Sequence, residues 1–146
     1  MEFKLIDHGS ELYSEMIRLR KNVLLDPIGI PQEYIDKEKE KNDYLIGAFR
    51  SDRLIGCCVL TPKPNGIIQL RQMAVVTDQQ GKNIGRLIIQ FAEQTATEEG
   101  FSQMVLHSRD NVLRFYSKCG YETDGEQFYE VGIPHHRMKK DLTKPV

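Results

Sequence analysis

What this sequence lacks narrows its chemistry before any motif is read. Neither charge is in excess, since 20 Lys and Arg face 21 Asp and Glu for a net −1. A balance so near zero provides no field to hold nucleic acid or an anionic membrane, so binding is expected at a local pocket. A basic recognition helix is also absent, which argues against a DNA-binding domain. No stretch approaches the roughly 18 apolar residues of a membrane-crossing helix, and Met1 to Asp7 does not read as a secretory signal. The expectation is a cytoplasmic protein.

The three cysteines form no disulfide framework, being odd in number, and the neighbours Cys57 and Cys58 would point to opposite faces of a strand. Without a Cys-x-x-Cys pair or a His-rich cluster there is no tetrahedral ligand set, and no metal is expected. Cys119, with no His beside it in sequence, is expected to be a small buried hydrophobe. No internal repeat, low-complexity tract or second domain is visible. A length of 146 residues suits one compact domain over 1–146.

What is present alternates between strand and helix signals. Phe3 to Ile6 is a short apolar run, and Leu12, Met16, Leu19 and Val23 then recur at helical spacing. Pro27, Gly29 and Pro31 interrupt the chain, and the charged run Asp36 to Lys41 predicts a solvated helix or loop near the substrate entrance. Three strands follow at Tyr44–Phe49, Leu54–Leu60 and Ile67–Val76, joined by Arg50-Ser51-Asp52-Arg53 and by a segment containing Asn65-Gly66, a pair suited to tight hairpins. Ile84, Leu87, Ile88, Phe91, Ala92 and Thr95 share one helical face, and Gly100 is placed as its left-handed stop. Met104 to His107 predicts a strand, and Val112 to Lys118 a short helix with Leu113, Tyr116 and Phe115 inward. Tyr121 to Leu142 predicts two strands joined through Gly132-Ile133-Pro134. The order gives an α/β (α+β) fold: a mixed, mostly antiparallel central sheet with a βαβ crossover, flanked by helices.

Chemistry concentrates between the third meander strand and the long helix, at Gln80-Gly81-Lys82-Asn83-Ile84-Gly85-Arg86. A strand, a tight turn and a helix N-terminus direct several unpaired backbone N–H groups to one point, where the helix dipole also favours an anion. Gly81 and Gly85 leave room for a ligand to approach the backbone, and Lys82 and Arg86 add positive charge. A phosphate is the natural guest. Asn83 after Lys82 excludes the nucleoside triphosphatase loop, and the three-glycine dinucleotide fingerprint is absent.

The stretch Met73-Ala74-Val75-Val76-Thr77-Asp78-Gln79-Gln80-Gly81-Lys82-Asn83-Ile84-Gly85-Arg86-Leu87 resembles the acetyl-CoA signature of the GNAT acetyltransferases, a strand followed by Gln/Arg-x-x-Gly-x-Gly/Ala. Gln80 matches its first position and Gly85 its last, while Asn83 replaces the middle glycine. Among non-glycine residues, Asn tolerates left-handed backbone angles well. Val112 to Tyr121 is similar to the family's short helix ending in Phe/Leu-Tyr-x-x-x-Gly-Phe/Tyr, with Arg109 where many members have Asn. Leu19 to Leu24 and Phe128 to His135 are similar to the ElaA-like branch.

The resemblance implies the GNAT acyl-CoA N-acyltransferase fold, with acetyl-CoA as cosubstrate and direct transfer to an amine in a ternary complex. It implies that backbone groups around Met73 and Val75 bind the pantetheine and thioester, and that Gln80, Gly81, Lys82, Asn83, Ile84, Gly85 and Arg86 hold the pyrophosphate. Tyr116 occupies the position of the phenol that protonates the departing thiolate. His107, at the end of the strand after the crossover helix, is the candidate general base, because Gln72 stands where some relatives carry a catalytic Glu and cannot accept a proton as a carboxylate does; the alternatives are a structural role for this histidine and a water-mediated route. His135 is a candidate on the substrate side. The expected acceptor is a small-molecule or peptide amine, with no nucleic acid or membrane partner and a homodimer as one option. The alternative is a non-catalytic module that binds or senses acyl-CoA.

Overall fold

A computed structural model describes residues 1–143, so the last three residues of the expected domain lie outside the described residues. Among the described residues eight strands form a mixed sheet flanked by helices. The chain divides into two compact units: 1–61 with 70–92, and 62–69 with 93 onward.

In the first unit β1 (Glu2–Leu5) pairs antiparallel with β2 (Tyr44–Arg50), and β2 with β3 (Arg53–Pro62). The β2–β3 turn places Ser51 and Asp52 at φ +50° and +64°, left-handed angles that match the twist of a two-residue hairpin. Helix α1 (Glu11–Arg20) starts at Ser10, whose hydroxyl accepts from the Tyr13 N–H at 3.2 Å and satisfies one of the orphan donors there. The chain then continues as a π-helical turn over Lys21–Leu25, so the predicted spacing ends at Leu19 and Val23 is only partly buried. Met16, Ile17, Leu19 and Leu25 pack with Leu45, Phe49, Cys57, Val59 and Ala74, each fully buried aliphatic side chain contributing about 1.5–3 kcal/mol.

Strand β4 (Ile67–Val75) leads through a 3₁₀ turn at Thr77–Gln79 to α2 (Ile84–Glu98). Of the predicted face, Ile84, Ile88, Ala92 and Thr95 are buried, joined by Ile89 and Ala96, while Leu87 and Phe91 are half-buried. A Cβ on Gly56 would lie 2.7 Å from Ile88 Cδ1 and 3.2 Å from the Ala74 carbonyl, so only glycine lets α2 settle this closely on β3.

The second unit is built on β5 (Gln103–Arg109) and β8 (Ile133–Asp141), antiparallel with His107 opposite Arg137 and Arg109 opposite His135. β6 (Glu122–Thr123) and β7 (Phe128–Glu130) both pair with β8. The C-terminal region therefore holds three strands where two were expected. The bend between β7 and β8 lies at Val131 and Gly132, at φ +47° and +75°, and leaves Ile133 and Pro134 inside β8. β5 also runs past His107 to Arg109. Helix α3 (Leu113–Lys118) is shallow: Leu113, Phe115 and Tyr116 are half-buried, as is Cys119, expected to be buried. The firmest anchor here is Tyr121, whose buried hydroxyl donates to Glu93 Oε2 at 2.8 Å, while Lys140 Nζ bonds the same carboxylate.

Candidate active site

The loop after β4 is fastened before it turns. Gln80 Nε2 donates to the Val75 carbonyl at 2.9 Å, Arg50 donates to Gln79 Oε1 at 3.1 Å, and Arg53 pairs with Asp78 at 3.2 Å. Gly81 and Asn83 then take left-handed angles, φ +79° and +67°, and α2 begins at Ile84. The angle at Asn83 is one that asparagine can adopt with little strain, so the loop keeps its shape without the middle glycine. Leu87 N–H donates to the Asn83 carbonyl at 3.3 Å, closing the first helical turn. The N–H groups ahead of it have no acceptor within the helix, and they project where the dipole favours an anion. Lys82, Asn83 and Arg86 are exposed around this point while buried Ile84 anchors the turn. The residues present fit a diphosphate: backbone donors at a helix N-terminus, two cations and open space at Gly81, where a Cβ would meet nothing within 4 Å.

Upstream, Met73 and Val75 are half-buried on β4. Between Leu70 and Ala74, Gln72 adopts φ +53°, an angle rare for a non-glycine residue in a strand and the mark of a locally bent backbone. Its side chain is held from below, because Arg20 Nε donates to Gln72 Oε1 at 3.3 Å. Arg20 is fully buried and grips the equally buried Glu40 with two bonds, Nη1 to Oε1 at 2.8 Å and Nη2 to Oε2 at 2.5 Å. The Tyr13 hydroxyl donates to the same carboxylate at 2.8 Å. Burial opposes charge on Glu40, but the bonds from Arg20 and Tyr13 outweigh it and hold the carboxyl below its ordinary range. Burial and then the bond to Glu40 push the Tyr13 phenol well up. Burial also raises the neighbouring Cys57 thiol to about 12, so that thiol is inert near neutral pH.

The charged run from Asp36 to Lys41 is thus only partly the solvated segment the sequence predicts. Glu40 turns inward from it, because a buried guanidinium on α1 requires a carboxylate partner.

In the second unit, His107 and His135 lie beside one another's partners. His107 Nδ1 is 3.0 Å from Glu130 Oε1, and His135 Nε2 is 3.7 Å from Glu130 Oε2. Phe128 meets His107 edge-on at 5.1 Å and stacks on His135 at 5.8 Å. His135 is buried, its Nδ1 2.7 Å from the Ile133 carbonyl, whereas the His107 side chain is 34% exposed. Tyr116 sits on α3, half-buried, its ring edge-on to Phe115 at 5.1 Å and to Tyr121 at 6.2 Å. Close to the end of β5, His136 Nδ1 meets Asp110 Oδ1 at 2.7 Å, and bonds from His136 and Gln127 hold the Asp110 carboxyl below its usual range.

Residues 26–142 match the family model described as an acetyltransferase (GNAT) domain. The chain belongs to the GNAT N-acetyltransferase family. A relative from Bacillus subtilis, the uncharacterized N-acetyltransferase YjcF, is 25% identical over 138 residues, covering 93% of this chain and 97% of its own. Among solved structures, Escherichia coli ElaA matches with a TM-score of 0.82 at 19% identity, covering 96% of this chain and 99% of its own. An aminoglycoside 6'-N-acetyltransferase solved with coenzyme A matches with a TM-score of 0.81 at 16% identity, covering 100% and 99%. These two likenesses show that the GNAT fold extends over essentially the whole chain.

Within this GNAT domain no helix among the described residues is long and apolar enough to cross a membrane. No group of three or more His, Cys, Asp or Glu side chains among the described residues is placed to hold a metal ion. Two features escaped the sequence reading. Arg20 occupies the inward helical position four residues after Met16, a signal that a buried cation needed a partner, though nothing in sequence chose Glu40 among its charged neighbours. Glu130 alternates with Phe128 on β7 and so shares its face, which becomes informative only once the β7–β8 register is known.

Proposed function

We propose that the protein is an acetyl-CoA-dependent N-acetyltransferase that acetylates a primary amine by direct transfer in a ternary complex. The observation that carries this reading is the fastened turn from Gln80 to Arg86, with its two left-handed residues at the start of a fifteen-residue helix. Ile84, Gly85 and Arg86 offer backbone N–H groups to the cosubstrate's pyrophosphate, with Lys82 and Arg86 supplying charge and Gly81 and Asn83 the backbone shape. Backbone groups of Met73 and Val75 are the partners for the pantetheine and thioester, in the manner of an added strand. The described units act as one acetyltransferase domain, in the cytoplasm, on a small-molecule or peptide amine; nucleic acid and membrane have no part in the reaction.

The chemistry assigned to the side chains follows from proton balance. A nitrogen–carbon bond forms and the carbon–sulfur bond breaks; the attacking amine loses one proton and the sulfur gains one. An amine of pKa about 10.4 is less than about one-thousandth neutral near pH 7, so a base must stand ready, and His107 is assigned that task. The phenol of Tyr116 supplies the proton for the sulfur. His135 lies on the acceptor side.

A panel of amines screened for acetyl-CoA-dependent release of free thiol tests the reading. At least one amine is expected to turn over; tight CoA binding with no acceptor in a broad panel would favour a sensor instead. With the acceptor in hand, Tyr116→Phe should lower kcat at least about a hundred-fold, the lower range of general acid catalysis, with CoA affinity changed by less than about 1 kcal/mol. Turnover within about three-fold of the parent would remove Tyr116 from the role of acid.

A further inference from the structure

We propose that Glu130 is a positioning residue for proton transfer: its carboxylate fixes the tautomer and orientation of His107, so that Nε2 presents the lone pair that receives the amine proton. The proposal rests on His107 being the general base of the reaction above. Its geometry stands apart from that reading. A carboxylate can only accept, so the 3.0 Å contact between Glu130 Oε1 and His107 Nδ1 places the hydrogen on Nδ1 and leaves Nε2 unprotonated in the neutral ring. Free imidazole is under no such constraint.

The ring is held on a second side as well. Phe128, two residues before Glu130 and on the same face of β7, meets His107 edge-on at 5.1 Å. Phe128 is itself backed by His135, its partner in the β7–β8 register and a ring stacked on it at 27° between planes. His135 is fixed in turn by the Ile133 carbonyl 2.7 Å from its Nδ1, which leaves its Nε2 facing Glu130 Oε2 at 3.7 Å, too long for a direct hydrogen bond. Glu130 therefore spends its short bond on His107. An oriented base with a carboxylate behind it is the arrangement that stabilises the imidazolium as it forms.

Other polar groups on this face come from β8 and from β5 itself. Arg137 of β8 stands opposite His107 and is bonded to Asp124, His135 lies one register step away on β8, and Arg109 is two residues further along β5.

The test combines turnover with a direct reading of the tautomer. In ¹⁵N-labelled protein, the imidazole nitrogens of His107, assigned with His107→Ala, should show hydrogen on Nδ1. In Glu130→Gln the amide can donate to Nδ1, so the opposite tautomer should gain population. With the acceptor amine identified, Glu130→Gln should lower kcat ten-fold or more with KM within about three-fold, and the acidic limb of the kcat profile should move to lower pH. The limb moves down because removing the carboxylate leaves the imidazolium less stabilised. Glu130→Asp, which retains the charge on a shorter arm, should recover part of the loss. If His107→Ala abolishes turnover while Glu130→Gln keeps the tautomer, the rate and the limb of the parent, Glu130 does not position the base and the proposal is overturned. If His107→Ala and Glu130→Gln both retain parental turnover, His107 is not the base; the reading of the base fails, and the proposal with it. Glu130 lies on a short partly exposed strand, and an unchanged thermal transition in each variant will show that folding is not the cause.

Discussion

Arg20 with Glu40 and His107 with Glu130 are both contacts between a nitrogen base and a carboxylate, yet they differ in what surrounds them. The first pair is closed off, with side-chain exposures of 0% and 1%, two bonds to one carboxylate and the Tyr13 hydroxyl as a third partner. The second is open, with exposures of 34% and 40% and a single short bond. Burial makes the first a fixed structural joint that ties α1 and the segment before β2 to Gln72 on β4. Exposure leaves the second in contact with solvent. Chemistry of the same kind thus serves shape in one unit, and in the other we propose that it serves proton transfer.

Removing one partner from the closed pair gives the largest expected change. Glu40→Gln leaves the Arg20 charge buried and uncompensated and should destabilise the fold by about 3–5 kcal/mol in urea unfolding. Replacing both partners, as Arg20→Met with Glu40→Leu, should cost much less, because the desolvation penalty disappears together with the attraction. The pair also predicts a pH dependence. Glu40 titrates near 4.5 when unfolded and lower when folded, so its contribution is full above about pH 4.5 and is lost as pH falls through the folded value. The urea midpoint of the parent should therefore drop as the solution is acidified below that pH, and this part of the slope should be missing in Glu40→Gln. An equal cost for the single and double substitutions would show that the ion pair is not what these side chains contribute.

The open pair should behave in the opposite way. Glu130→Gln is expected to change stability by less than about 1 kcal/mol, the usual scale for solvent-exposed pairs, whatever it does to turnover. A loss comparable to that of Glu40→Gln would place Glu130 among the structural joints and erase the contrast between the two clusters.

The difference between the pairs also explains what could be read from the sequence. Periodicity exposed the scaffold, because Ile84, Ile88, Ala92 and Thr95 are spaced by the geometry of the helix that buries them. Local backbone demands exposed the turns: Asn65 and Gly66, and Gly81 with Asn83, all take the left-handed angles their side chains suggest. Long-range partnerships left no such trace. Glu40 sits in a run of alternating charges in which Glu38 and Glu40 look equivalent, and only the position of Arg20 twenty residues earlier selects one of them. Gln72 breaks the backbone pattern of β4 with no glycine to announce it. The third C-terminal strand was hidden because β6 is two residues long, too short for alternation to show. The backbone shape of the turn from Gln80 to Arg86 was legible, whereas the partner of His107 depended on a strand register that sequence spacing does not reveal.

The central claim, that the turn from Gln80 to Arg86 binds the pyrophosphate of the cosubstrate, is tested most directly by calorimetric titration of CoA into the parent and into Gly85→Glu. The substitution puts bulk and negative charge beside the N–H groups of the first turn of α2 while leaving buried Ile84 and Ile88 in place. The parent should bind CoA, and the folded variant should show no measurable binding. Unchanged affinity in a variant whose thermal unfolding matches the parent would contradict the claim and move the phosphate site elsewhere in the molecule.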